Sequence, residues 1–228
     1  MNDLKENLDK VSSRLGRACR TAGRAPSEVR ILAVSKRQSV DKIQKLYGLG
    51  QRAFGENVVQ EAVLKQAQLA DLDIEWHFIG TIQSNKTAEI AAHFGWAQSV
   101  DREKLLRRLS EQRPDHLPPL NICLQVNIDG EAQKGGASAE DTPALADLAA
   151  QLPGIRLRGL MAIPALQAGS DGAAEESFRR MRALYELCRE SGHSLDTLSM
   201  GMSADMERAI LAGSTMVRIG TDLFGPRS

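Results

Sequence analysis

The feature that most constrains the fold is a regular alternation of short apolar runs with longer amphipathic stretches. Runs rich in Val, Ile, Leu or aromatic residues predict strands, and apolar residues at helical spacing follow most of them. Repeated strand–helix units are typical of a parallel sheet covered by helices. Eight strands are predicted, at Arg30–Ser35, Arg52–Gly55, Glu75–Ile79, Trp96–Val100, Asn121–Asn127, Arg156–Ala162, Thr197–Met200 and Met216–Ile219.

Helical patterns fill the gaps and precede the first strand. Leu4, Leu8 and Val11 recur at helical spacing, which predicts an extra N-terminal helix over 2–22. Further helices are predicted at 38–49, 57–70, 84–93, 102–112, 139–151, 174–191 and 204–212. Gly135-Gly136 and Gln167–Gly172 are predicted to be loops within one domain.

These elements predict a single α/β domain over residues 1–228, closed as a (β/α)₈ TIM barrel, a fold that typically has about 250 residues. An open, doubly wound sheet with the same elements is the alternative. Periodicity alone does not separate the two arrangements, because both place helices on a parallel sheet.

Composition excludes several classes of function. Lys plus Arg and Asp plus Glu both total 29, so no net field would attract nucleic acid or an anionic membrane. Three widely spaced cysteines and scattered histidines predict neither disulfides nor a metal site. The charged N-terminus does not resemble a signal peptide, and no run approaches the ~20 apolar residues of a membrane helix. A cytoplasmic protein is therefore predicted.

Polar and glycine-rich residues cluster where the predicted strands end. In a (β/α)₈ barrel the loops after these carboxyl ends build the active site, so six clusters on one rim predict a binding site. The clusters are Ser35-Lys36, Gly55-Glu56-Asn57, His77 to Gly80, Asn127, Gly201-Met202-Ser203, and Arg218 with Gly220-Thr221. His77 follows Trp76 in a strand, so it is equally compatible with a place in the core.

Lys36 is the most informative of these residues. It follows the apolar run Ile31–Val34, so it emerges where a buried strand meets the rim. An amine there is partly removed from water, which leaves more of it neutral and nucleophilic, as Schiff-base formation requires. The alternative is a lysine that begins a loop and points to solvent.

The last two strands are followed by residues suited to an anion. Ser203 is predicted to be the N-cap of the helix from 204, and its hydroxyl with nearby N–H groups favours a phosphate. Gly220 permits close backbone approach and Thr221 adds a hydroxyl, in loops that often bind phosphate in such barrels. Arg218, inside an apolar run, needs either a structural partner or a ligand atom, and Met202 suits the face of a ligand ring. The alternative to a phosphate site is that Ser203 only caps its helix and Gly220 only forms a turn.

Several segments together resemble one known family. They are Ala33–Lys36, Phe54–Asn57, Trp76–Gly80, Gln83–Lys86, Ser199–Met206, Val217–Thr221 and Phe224-Gly225. These blocks are similar to those of the pyridoxal phosphate homeostasis protein family, and they cover nearly the whole chain in order. Departures from the family pattern are Val58, Thr81-Ile82 and Asp222; the carboxylate of Asp222 would repel a phosphate unless it points away.

The resemblance implies a barrel of the fold-type III kind, similar to the N-terminal domain of alanine racemase. It implies pyridoxal 5′-phosphate bound to Lys36 as an internal aldimine, and Arg218 facing the pyridine nitrogen. Further cofactor-binding residues implied by the family pocket are Asn57, His77, Met202, Ser203, Gly220 and Thr221. The family is described as storing and distributing the cofactor without an established reaction. The resemblance therefore implies pyridoxal phosphate-dependent apo-enzymes as partners, and it separately implies a monomer.

Carrier behaviour is consistent with the residue types. A cationic Arg218 would disfavour protonation of the ring nitrogen and weaken the cofactor as an electron sink. Racemisation needs an acid or base on each face, whereas Lys36 serves one, and Tyr47 and Tyr185 fall in predicted helices away from the rim. No catalytic residue is therefore predicted. A slow racemase or transaminase, a Schiff-base aldolase, and a module that only binds apo-enzymes are the alternatives.

Overall fold

The computed structural model describes residues 2–164 and 171–225, and its sheet is a closed barrel of eight parallel strands in sequence order. The first strand pairs with the last, which excludes the open doubly wound sheet. The strands are β1 (Arg30–Val34), β2 (Ala53–Glu56), β3 (Glu75–Phe78), β4 (Trp96–Val100), β5 (Leu120–Gln125), β6 (Ile155–Met161), β7 (Thr197–Ser199) and β8 (Met216–Ile219).

Helices surround the barrel and precede it, as predicted. Within the described ranges the α-helices are α1 (Asn2–Thr21), α2 (Val40–Gly48), α3 (Val59–Gln68), α4 (Thr87–His93), α5 (Glu103–Glu111), α6 (Thr142–Ala150), α7 (Asp171–Glu190), α8 (Met206–Leu211) and α9 (Thr221–Phe224). Two 3₁₀ turns add Pro26–Glu28 and Ser84–Lys86. None of these helices is both long and apolar enough to cross a membrane.

The extra N-terminal helix is confirmed, and its apolar face explains its position. Val11, Leu15 and Cys19 are buried, and α1 packs against α8 and α9. Burial of this face removes apolar surface from water, which drives the helix onto the barrel. The helix therefore lies behind the loops that follow β7 and β8.

Three local predictions were wrong in detail. Helix α8 begins at Met206, so Asp205, not Ser203, is the residue before the first helical turn. Thr221, predicted to lie in a loop after β8, instead begins the short helix α9. Of the predicted loop Gln167–Gly172, residues 167–170 lie outside the described part of the chain, and the last two belong to α7.

Side chains from the strands fill the interior of the barrel, so a ligand has to bind at a mouth and not along a channel. Two small apolar clusters occupy this space: Leu32, Ala53, Met216 and Ile79 in one, and Trp96, Cys123 and Met161 in the other. The larger core lies between the outer face of the strands and the helices. Polar side chains are also buried inside the barrel, below the carboxyl ends of the strands.

Candidate functional site

A cavity of about 270 Å³ lies at the carboxyl ends of the strands. It is lined by Val34, Lys36, Gln38, Ile79, Met161, Ile163, Met202, Ser203, Ala204, Arg218, Gly220, Thr221 and Gly225. Six of the eight predicted site residues thus meet in one place, and Asn57 and His77 are not among the lining residues. A wider groove of about 750 Å³ lies outside, between α1 and α9, and is lined mainly by helix side chains. The described residues contain no group of three or more metal-ligating side chains.

The backbone on either side of Lys36 is held in place from helix α3. Lys65 Nζ donates a hydrogen bond to the carbonyl oxygen of Ser35 at 2.9 Å, and the backbone N–H of Arg37 donates to Glu61 Oε1 at 2.7 Å. Arg37 adopts a left-handed backbone with φ of 60°, which a non-glycine residue rarely does without such support. Lys36 is half-buried and faces the cavity from this fixed turn.

A buried ion pair joins the loops after β1 and β2. Lys65 Nζ lies 2.8 Å from Glu56 Oε1 and 2.7 Å from Glu61 Oε1. Ser35 Oγ also donates to Glu56 Oε1, at 2.6 Å. Burial raises the pKa of Glu56 even though Lys65 and Ser35 favour its charged form. The Lys65 ammonium thus has three acceptors, the carbonyl oxygen of Ser35 and the carboxylates of Glu56 and Glu61. These contacts connect the turn that carries Lys36 to β2 and to α3.

The loop after β7 has a shape that depends on one glycine. Gly201 has a φ of 94°, and a Cβ at this position would lie 2.4 Å from Cβ of Ala209. Asp205 Oδ1 then accepts a hydrogen bond from the backbone N–H of Met202 at 2.6 Å, which closes the turn. This turn delays the start of α8 and explains why Ser203 is not its N-cap.

Backbone donors surround one end of the cavity. Within the described part of the chain, the N–H groups of Ser203, Ala204 and Thr221 have no hydrogen-bond acceptor. Their residues line the cavity, and Ser203 and Thr221 add hydroxyl groups. Several unsatisfied donors at one concave position are suited to an anion such as a phosphate.

Arg14 on α1 contacts both the segment that follows β7 and the segment that follows β8. Its Nε donates to Glu207 Oε1 at 2.7 Å and its Nη2 to the carbonyl oxygen of Ser203 at 2.9 Å, while Nη1 pairs with Asp222. The carboxylate of Asp222 is therefore directed to α1. Arg14 was not among the predicted site residues, although an arginine between Val11 and Ala18 interrupts the apolar face of the helix.

Arg218 forms the floor of the cavity and is only 5% exposed. Its Nη1 donates to the carbonyl oxygen of Ser199 at 2.7 Å and to Ser199 Oγ at 2.8 Å, and its Nη2 donates to the carbonyl oxygen of Ala162 at 2.8 Å. Burial lowers the pKa of Arg218 to about 10, so the guanidinium is still charged at neutral pH. All three of these hydrogen bonds end on neutral oxygen atoms, and a buried cation of this kind favours an electron-rich ligand atom.

His77 and Asn57 lie beside the cavity and not in its lining. His77 is fully buried inside the barrel, where Nε2 is 2.7 Å from Glu75 Oε1 and the ring stacks on Trp96 with centroids 4.9 Å apart. Burial lowers the pKa of His77, and its contact with Glu75 does not offset that effect. Asn57 follows β2, and its backbone packs closely against Gly80. A Cβ added to Gly80 would lie 2.3 Å from the carbonyl oxygen of Asn57. Cofactor contact by either residue stays a prediction.

Comparison with known proteins identifies close relatives. The family described as "Alanine racemase, N-terminal domain" matches residues 5–228. The chain is 55% identical over 227 residues to the pyridoxal phosphate homeostasis protein of Pseudomonas aeruginosa, covering 100% of this chain and 97% of that protein. It is 46% identical over 230 residues to the protein of the same name in Escherichia coli K12, covering 100% and 98%.

Solved structures give the same result. PipY of Synechococcus elongatus PCC7942 with PLP bound superposes with a TM-score of 0.84 at 34% identity, covering 97% of this chain and 100% of PipY. An alanine racemase from Clostridium difficile 630 has a TM-score of 0.80 at 13% identity, covering 99% of this chain and 57% of the enzyme. At that identity the second likeness shows the fold alone.

Proposed function

The chain belongs to the pyridoxal phosphate homeostasis protein family, and from this premise we propose that it binds pyridoxal 5′-phosphate on Lys36 and stores it for delivery. One observation carries the proposal: Lys36, the unsatisfied donors near Ser203 and Thr221, and Arg218 line the same cavity. Groups suited to the aldehyde, the phosphate and the ring nitrogen of this cofactor therefore lie close together. The PLP-bound structure of PipY supports the same ligand.

Six residues of the cavity have a proposed task. When bound, pyridoxal phosphate supplies an aldehyde that a lysine amine joins through a C=N bond with loss of water. Lys36 provides that amine from its fixed turn, and Ser203, Gly220 and Thr221 hold the phosphate. Arg218 donates to the ring nitrogen, and Met202 packs against the ring.

Storage, in preference to catalysis, is supported by the ionisable groups of the cavity. Arg218 only donates, so it holds the ring nitrogen unprotonated, and an unprotonated ring is a weak electron sink. Of the described lining residues, Lys36 alone is able to accept a proton. Tyr185 is buried on α7 and donates to the Leu195 carbonyl oxygen, and Tyr47 lies on α2. A racemase would require a second acid or base across the ring.

The proposal extends to partners and location. We take pyridoxal phosphate-dependent apo-enzymes as the recipients, with Asn57 at the rim contacting the bound cofactor and a monomer as the functional unit. A reducing compartment, the cytoplasm, is supported by the three cysteines, which are free thiols buried in the core.

A retention experiment tests this function. The protein is loaded with pyridoxal phosphate and desalted, and the retained cofactor is quantified for wild type, Lys36→Ala and the control Lys45→Ala, which changes an exposed lysine of α2. We expect close to one equivalent in wild type and the control, and little in Lys36→Ala. Loaded wild type should then restore activity to an apo-aminotransferase without itself racemising alanine. Retention that does not depend on Lys36, or turnover of alanine at enzymatic rates, would overturn the proposal.

A further inference from the structure

Four polar side chains are buried inside the barrel beneath the cavity. Arg218 is 5% exposed, and Ser199, Gln98 and His77 are 0% exposed. Burying polar groups costs free energy unless every donor and acceptor is matched. Together with Glu75 they form one continuous chain of hydrogen bonds, which we call the relay.

The relay runs from the floor of the cavity to the opposite mouth of the barrel. Arg218 Nη1 donates to Ser199 Oγ at 2.8 Å, and Ser199 Oγ donates to Gln98 Oε1 at 2.7 Å. Gln98 Nε2 lies 2.8 Å from His77 Nδ1, and His77 Nε2 lies 2.7 Å from Glu75 Oε1. Glu75 is the first residue of β3, at the amino-terminal mouth.

The charges at the two ends give the relay a single direction. The guanidinium of Arg218 only donates, and the carboxylate of Glu75 only accepts. The Nε2 atom of His77 must therefore carry the proton, the Gln98 amide must present its oxygen to Ser199, and the Ser199 hydroxyl must direct a lone pair at Arg218. The hydrogen bonds of the relay therefore all point in the same direction, from the buried guanidinium of Arg218 to the carboxylate of Glu75, and they polarise one another although the two charged groups are not in contact.

We propose that Ser199, Gln98 and His77 are positioning residues that fix the orientation of the Arg218 guanidinium toward the ring nitrogen of the bound cofactor. This inference rests on the proposed function, because it concerns the same cavity. The two backbone carbonyls bonded to Arg218 hold the plane of the guanidinium, and Ser199 Oγ is the acceptor through which the interior of the barrel acts on it. Residues that do not line the cavity thus set the environment of the ring.

The direction of the relay is measurable without the cofactor. In ¹⁵N NMR spectra of the unliganded protein, the His77 imidazole should be neutral with the proton on Nε2. The chain has four histidines, so the signals of His77 are assigned by their loss in His77→Gln. A proton on Nδ1, or a doubly protonated ring at neutral pH, would overturn the relay.

The effect on the cofactor is tested with variants that leave the cavity lining unchanged. Ser199→Ala removes the hydroxyl that Arg218 contacts, and Gln98→Met breaks the relay one link further away. The control is Ser99→Ala, which removes a buried hydroxyl of β4 that has no hydrogen-bond partner among the described residues. We expect affinity for pyridoxal phosphate to fall about tenfold in Ser199→Ala and about threefold in Gln98→Met, as for one charge-assisted and one neutral hydrogen bond.

A second readout separates positioning from general destabilisation. Both relay variants should also move the absorbance maximum of the bound cofactor, while Ser99→Ala keeps the wild-type affinity and spectrum. If Ser199→Ala and Gln98→Met match Ser99→Ala in affinity and spectrum, the positioning role is refuted while the proposed function stands. If wild type itself binds no cofactor, the proposed function fails, and the inference fails with it.

Discussion

Replacing Arg14 should affect both the stability of the barrel and its affinity for the cofactor. Arg14 makes four hydrogen bonds, two to Glu207, one to Asp222 and one to the carbonyl oxygen of Ser203. The side chains of Arg14, Glu207 and Asp222 are 28%, 42% and 31% exposed, so water screens these contacts and each contributes only about 0.5 kcal/mol. Arg14→Met should thus lower the free energy of unfolding by about 2 kcal/mol.

The assay compares thermal melting and cofactor binding in the same variants. For a chain of this size a loss of about 2 kcal/mol lowers the Tm by about 4–8 °C. Because Arg14 joins the two loops that carry the anion donors, affinity for pyridoxal phosphate should also fall about fivefold, equivalent to roughly 1 kcal/mol. Arg17→Met is the control, since Arg17 is exposed on the same helix. If Arg14→Met melts lower but binds the cofactor as tightly as Arg17→Met, α1 supports the barrel and not the site.

Three further changes test other parts of the structure. Lys65→Met leaves the buried Glu56 without its cation and should lower the free energy of unfolding, measured with urea, by about 3–5 kcal/mol. The double variant Lys65→Met with Glu56→Gln should recover at least half of that loss, and no recovery would argue against the ion pair. Gly201→Ala places a Cβ 2.4 Å from the Cβ of Ala209 at a residue with positive φ and should lower stability by about 3 kcal/mol. Gly48→Ala adds a Cβ that meets nothing within 4 Å outside its own helix, so it should leave the Tm unchanged or raise it by at most about 2–4 °C. Burial alone would raise the pKa of Glu75, but its histidine and arginine neighbours lower it below the ordinary value. The stability contributed by Glu75 is therefore present above a pH of about 4.3 and lost as pH falls through the lowered pKa. Glu75→Gln should flatten the acid side of the stability curve, and an unchanged curve would contradict this assignment.

The strands and most of the site could be predicted from the sequence because they follow from local patterns. Continuous apolar runs such as Ile31–Val34 are typical of strands covered on both faces. The observed strand ends lie within two residues of the predicted ones, and β4 and β8 have the predicted bounds. Lys36 and Ser203 meet in one cavity because the carboxyl ends of parallel strands share one rim. Periodicity could not predict that the sheet closes, since closure depends on the pairing of β1 with β8.

The supporting contacts could not be predicted because they join residues far apart in sequence. Arg14 and Asp222 are separated by 208 positions, and their pairing depends on how α1 packs on the barrel. The direction of the His77 side chain was equally open, because alternate residues of a barrel strand face inward and outward. Arg218 within an apolar run indicated a polar interior, and Gln98 within β4 is a second such sign that was not used.

Peptide mapping after reduction tests the central claim most directly. The protein is saturated with pyridoxal phosphate, treated with borohydride to make the linkage permanent, digested and analysed by mass spectrometry. The account predicts one dominant modified peptide, containing Lys36, and loss of that modification in Lys36→Ala without new labelling elsewhere. A label distributed over surface lysines, or one retained at another position in Lys36→Ala, would contradict the assignment of the cavity to this cofactor.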